Sequence, residues 1–207
     1  MHFPITYFII GITALVSFSA MNNPDLKNKL MFNAYAIKHR KEWWRLFTHA
    51  LIHADFIHLL FNMITLYSIG LIVEQLFQAV FEDKGTLFYI LLYVGGIFMS
   101  SVYSYEKHKD DMYYNALGAS GAVSSVMFAF VLIAPMAVLT VMVLPMWAWL
   151  FGVLFLVASW YLGKRGGGNI GHDAHFWGAV YGVVFTLCLK PSLGKDFIDQ
   201  IMNRFFH

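Results

Sequence analysis

Ser120 stands in Gly118-Ala119-Ser120-Gly121 at the head of one apolar run, and His175 stands in Ala174-His175-Phe176-Trp177-Gly178 at the head of another. A serine hydroxyl becomes a nucleophile when a neighbouring base takes its proton, so this pair is the first candidate for chemistry. Alone, the serine motif reads more readily as a small-residue packing face. The histidine changes that reading. Ala174, Gly178 and Gly182 repeat at i, i+4 and i+8 beside it, a stripe that lets two helix backbones approach closely. Such an approach brings the hydroxyl of Ser120 within reach of the imidazole. Where a loop enters a helix, free backbone N–H groups at the serine can also hold a developing negative oxygen.

His53, His58 and Asn62 make a third cluster. Asp55 is a good N-cap, which leaves His53 in the preceding loop. His58 and Asn62, at i and i+4, share one face of the helix that follows. An imidazole and an amide that both donate suit an oxyanion site. His49 and His53 read better as a polar network tying the loop to the helices. Asp173, at i−2 from His175, points away around its helix and reads as a cap or a solvent-facing residue, not as a third catalytic member.

The elements that must position these groups are long and apolar. The chain is 59% apolar and 13% charged. A soluble domain has about 45–50% apolar and about 25% charged residues, so the balance points to a polytopic membrane protein. Six runs approach the length of about 20 residues needed to cross a bilayer. They are Phe3–Met21, Phe56–Phe77, Gly85–Tyr103, Leu117–Ala134, Met146–Leu162 and His172–Leu189. The first lacks the charged start and small-residue cleavage site of a signal peptide and is expected to be a retained helix. Asn22 to Asp55 is a polar loop carrying Trp43 and Trp44, expected to lie on or partly in the membrane surface. Met136 to Leu144 is apolar but too short to cross, and reads as an interfacial connection. One six-helix domain over 1–207 is expected, with 191–207 a short C-terminal tail.

A net charge of +2 offers nothing to nucleic acid, and the single Cys188 excludes an intrachain disulfide framework. With six crossings, the second, fourth and sixth helices begin on one face. The polar residues that interrupt the runs gather at those three ends. Ionisable groups inside spans are costly and face a bundle interior or a water-filled cavity.

Trp44-Arg45, His49, the run from His53 through His58 to Asn62, Gly118-x-Ser120-Gly121 and Ala174-His175-x2-Gly178-x3-Gly182 together resemble the rhomboid family of intramembrane serine proteases. The resemblance covers all but the first helix and the tail. It implies an all-α polytopic bundle with Ser120 as nucleophile and His175 as general base. His58, Asn62 and the Ser120 N–H would build the oxyanion site, with His53, Gly118, Gly121 and Gly178 in support. It implies no metal and no organic cofactor. The partners it implies are transmembrane protein substrates and the lipid bilayer. Glu74 matches a late acidic residue of the second helix and reads as structural. Gly166-Gly167-Gly168 would belong to a lid over the site. The family's orientation puts the site on the extracytoplasmic side of a bacterial inner membrane, although loops on that face carry ten of the fourteen Lys and Arg residues, against the positive-inside bias. One position departs from the family. Four residues after the nucleophile many rhomboids place an aromatic ring against the histidine, and here Ser124 stands there. His175 is then expected to be held by the Ser124 hydroxyl or by Phe176 or Trp177.

Two other classes compete. An inactive rhomboid-like protein that binds membrane clients would lack the serine or the histidine, and both are present. A membrane metalloenzyme would use several histidines as ligands, but no His-His pair or His-Glu-x-x-His occurs.

Overall fold

A computed structural model describes residues 3–141, 144–165 and 171–206. The chain begins with α1 (Ile5–Met21), followed by the short helices α2 (Pro24–Leu30), α3 (Ala34–Arg40) and α4 (Arg45–Thr48). The polar loop is thus a folded element. Asn23 and Asn33 cap α2 and α3 by accepting from Leu26 N–H and Ala36 N–H at 3.0 and 2.7 Å. Arg45 is buried between them and donates to the carbonyls of Asn28 and Met31, each at 2.7 Å. Phe32, Ala34 and Ile37 pack with Tyr105 and Tyr114 to seat the loop.

Asp55 caps α5 (Phe56–Thr65), as its residue type predicts, accepting from His58 N–H at 2.8 Å. α5 continues through a π-helical turn, Leu66–Gly70, into α6 (Leu71–Phe81). After a 3-10 turn at Glu82–Lys84 comes α7 (Gly85–His108). Among the described residues Phe56–His108 is one helical stretch long and apolar enough to cross a membrane. It folds back on itself, because Glu82 takes a positive φ of 51° and Gln78 donates to Thr86 Oγ1 at 3.1 Å across the reversal.

α8 (Ser120–Ile133) is the central helix, with eleven of its fourteen residues buried. It packs most extensively on α10 (His172–Leu189) and α7, with α9 (Ala148–Arg165) alongside. The expected interfacial connection before α9 is a two-stranded antiparallel hairpin, β1 (Val138–Val141) against β2 (Leu144–Trp147), the one departure from helix among the described elements. Three of the four β1 residues are β-branched, which suits a strand. The C-terminal tail is helix α11 (Ser192–Phe206), bent 110° from α10 at Pro191.

Far from Ser120, the Glu74 carboxylate caps α1 from another helix. It accepts from Ile5 N–H at 2.8 Å, Thr6 N–H at 3.0 Å and Thr6 Oγ1 at 2.7 Å, which satisfies two of the orphan donors of that helix end. Tyr89 of α7 joins through Thr6 Oγ1 at 2.8 Å. Outside the core, Leu15, Ile64, Leu87, Val157 and Val184 all face outward. So extensive an apolar exterior is a liability in water and suits lipid.

Candidate active site

The segment entering α8 is held residue by residue. Phe32 and Ala116 exchange backbone hydrogen bonds at 2.9 and 3.1 Å, which joins this segment to the first loop. Gly118 N–H donates to the His49 carbonyl at 2.9 Å, and Ala119 N–H donates to His53 Nε2 at 3.3 Å. Gly118 has φ +117°, a conformation that favours glycine, and a Cβ there would lie 2.7 Å from His58 Cε1. Ser120 is therefore presented as the first residue of α8. Among the described residues its N–H has no backbone partner, as expected of a first-turn donor.

On the facing helix, His175 Nε2 lies 2.7 Å from Ser120 Oγ. The small-residue stripe brings them together. Gly178 leaves no room for a Cβ against the Gly121 backbone, nor Gly182 against Ser125. Ser125 Oγ donates to the Gly178 carbonyl at 2.9 Å and locks the contact. On the other side of α8, Gly121 lies against Ser100 of α7.

The third cluster sits beside this pair. The rings of His53 and His58 meet edge-on with centroids 4.9 Å apart. Asn62 is buried, and its Nδ2 donates back to the His58 carbonyl at 2.9 Å, which leaves one amide hydrogen uncommitted by that bond. His53 is fully buried, and burial pushes its imidazole down to about 3, with the neighbouring His58 adding to the shift. His49, also buried, is pushed down to about 4 by the same loss of solvent. Its Nε2 lies 2.9 Å from Ser101 Oγ. Ser101 gives its own proton to the Ile97 carbonyl at 2.9 Å, so His49 is the donor.

Asp173 turns away from the pair, as its position predicts, and its Oδ2 accepts from Lys107 Nζ at 2.8 Å. The expected holders of His175 are different residues. No hydrogen bond joins Ser124 to His175 among the described residues, and Trp177 stacks on Tyr103 instead. The ring next to His175 is Phe155 of α9, centroids 6.0 Å apart and inclined by 28°, with His172 edge-on at 6.0 Å. Nothing in the spacing of one helix could assign Phe155, which reaches the site from another. Ser17 was also missed, although a polar residue in an apolar span was a usable signal. Gly166, Gly167 and Gly168, expected in a lid, lie outside the described residues. Among the described residues no group of three His, Cys, Asp or Glu side chains is placed to hold a metal ion.

A hydroxyl and an imidazole thus meet at the head of a buried helix, inside a helical bundle with an apolar exterior. The family model of the rhomboid domain matches residues 40–192. The chain belongs to the rhomboid family, whose members are integral membrane proteins. It is similar to "Rhomboid protease GluP" of Bacillus subtilis, 29% identical over 62% of this chain and 24% of that protein. "Putative rhomboid protease YdcA" of the same organism is 34% identical over 40% of this chain and 37% of its own length. "RHOMBOID-like protein 12, mitochondrial" of Arabidopsis thaliana is 28% identical over 67% of this chain and 44% of its own. The match spans less than half the length of each of these relatives.

Proposed function

We propose that this protein is an intramembrane serine endopeptidase that hydrolyses peptide bonds in or next to the transmembrane segments of other membrane proteins. The observation that carries the reading is the 2.7 Å contact between Ser120 Oγ and His175 Nε2. As Oγ attacks the scissile carbonyl carbon, Nε2 takes the hydroxyl proton. The resulting oxyanion is met by the Ser120 N–H, His58 and the uncommitted amide hydrogen of Asn62. Collapse of the tetrahedral intermediate breaks the C–N bond, and His175 returns its proton to the leaving amine. Water then adds to the acyl–serine ester with His175 again as base, releasing the acid product and restoring the hydroxyl.

The bundle supports a site inside the membrane layer. We read the six apolar helices as six crossings: α1, α5 with α6, α7, α8, α9 and α10. α8 has fourteen residues, a rise of about 21 Å at about 1.5 Å per residue. That is shorter than a hydrocarbon core of about 30 Å, so Ser120 lies recessed from the surface, where the polar ends of α5, α8 and α10 admit water. The reading places the site on the extracytoplasmic side of a bacterial plasma membrane, with no metal or organic cofactor.

The test is cleavage of a panel of tagged single-span proteins in liposomes that contain the purified protein. The products should be two membrane fragments whose new termini map within or beside the span. Ser120→Ala should abolish them. Cleavage that survives Ser120→Ala would overturn the proposal.

A further inference from the structure

We propose that Ser17, on α1, is a positioning residue for the reaction at Ser120: it fixes which ring nitrogen of His53 carries the proton, and through it the segment that aims the nucleophile. The inference rests on the serine-protease reading and deepens it.

Ser17 is fully buried in a helix with few polar residues, which makes its two contacts informative. Its Oγ lies 2.9 Å from the Leu51 carbonyl and 2.9 Å from His53 Nδ1. A carbonyl can only accept, so the single hydroxyl proton goes to Leu51. The oxygen is then an acceptor toward His53, and Nδ1 must carry a hydrogen. At the other edge of the ring, Ala119 N–H points at Nε2 from 3.3 Å. A backbone N–H can only donate, so Nε2 must hold a lone pair. The two edges give the same answer independently: His53 is neutral, with its proton on Nδ1. Burial, which holds the ring well below the ordinary histidine range, agrees with the neutral form. The opposite tautomer sets N–H against N–H at Ala119 and a lone pair against the Ser17 oxygen.

The consequence reaches the nucleophile. Gly118 N–H is tied to the His49 carbonyl and Ala119 N–H to His53, so the two peptides before Ser120 are fixed and the Ser120 N–H is the first one left for an oxyanion. Ser17 lies outside the residues matched by the family model, 40–192. The first helix thereby contributes to the site through a hydrogen-bond relay, without touching substrate.

The test combines a spectroscopic and a kinetic measurement on the full chain in detergent. In protein with 15N-labelled histidines, the His53 resonances are identified by their loss in His53→Gln. Wild type should show a protonated Nδ1 and a bare Nε2. Ser17→Ala should give mixed tautomers and label Ser120 with a fluorophosphonate about tenfold more slowly, a smaller loss than the hundredfold a full 1 Å misplacement can cost. Ser17→Thr keeps the hydroxyl and should restore both. A wild-type ring protonated on Nε2 would overturn the proposal, and so would Ser17→Ala with an unchanged tautomer or an unchanged labelling rate. If Ser17→Ala does not fold, the wild-type tautomer decides the matter. Should wild type fail to label at Ser120, the protease reading falls, while the tautomer still judges Ser17 separately.

Discussion

Adding one methyl group at Gly178 should damage stability and chemistry together. In Gly178→Ala the new Cβ would lie 2.9 Å from the Gly121 carbonyl carbon and 3.1 Å from its Cα, with the carbonyl oxygen closer still. Carbon atoms rest about 3.5–4.0 Å apart, so α8 and α10 must part by about 1 Å. The obstruction is backbone on a buried helix and has no rotamer by which to yield. Overpacking of this kind costs about 1–3 kcal/mol. The same displacement falls on the Ser120–His175 contact, where a shift of about 1 Å can cost a hundredfold in rate. Gly11→Ala is the control: nothing lies within 4 Å of a Cβ there, and alanine is the better helix former by about 0.5–1 kcal/mol. Thermal melting in detergent and the fluorophosphonate labelling rate per folded molecule measure both quantities. Gly178→Ala with wild-type melting and labelling would show that close approach of these two helices does not build the site.

Acid should destabilise the folded chain through its buried loop histidines. His49 and His53 stay neutral when folded, down to about 4 and about 3, whereas unfolded they take protons below about 6.5. Their contribution is complete above pH 6.5 and lost as pH falls toward those values, at up to about 1.4 kcal/mol per pH unit for each ring, a slope that denaturant melts at pH 7 and 5.5 can detect. A flat profile over that interval would contradict the burial of both rings. Glu74→Gln removes an acceptor oxygen from the N-terminus of α1 and should cost about 1–3 kcal/mol in melting while leaving activity per folded molecule unchanged. Phe155→Ala should lower turnover by loosening His175, and Ser124→Ala should change it little. The reverse order would return the hydrogen-bond role to Ser124.

The approach of His175 to Ser120 was legible because it depends on spacing within single helices. The Ala174, Gly178, Gly182 stripe announces a close helix contact, and the contact it makes brings His175 to Ser120. Asp55 as an N-cap, His53 left in the loop and Asp173 turned away from the pair all follow from local chain geometry. Contacts between distant helices were not legible, since Phe155, Ser17 and the cap on α1 supplied by Glu74 depend on how α1, α6 and α9 dock. The helical C-terminal tail and the β-hairpin before α9 were also missed, because short apolar connections carry little periodicity.

Activation of Ser120 as a nucleophile by His175 is the step on which the proposed protease activity depends. The most direct measurement is the intact mass of the detergent-purified protein after treatment with a fluorophosphonate, in the presence of a chelator. One phosphonyl adduct is expected, mapped to the peptide containing Ser120, absent in Ser120→Ala and formed far more slowly in His175→Ala. An adduct on another residue, or one that forms in His175→Ala at the wild-type rate, would contradict it.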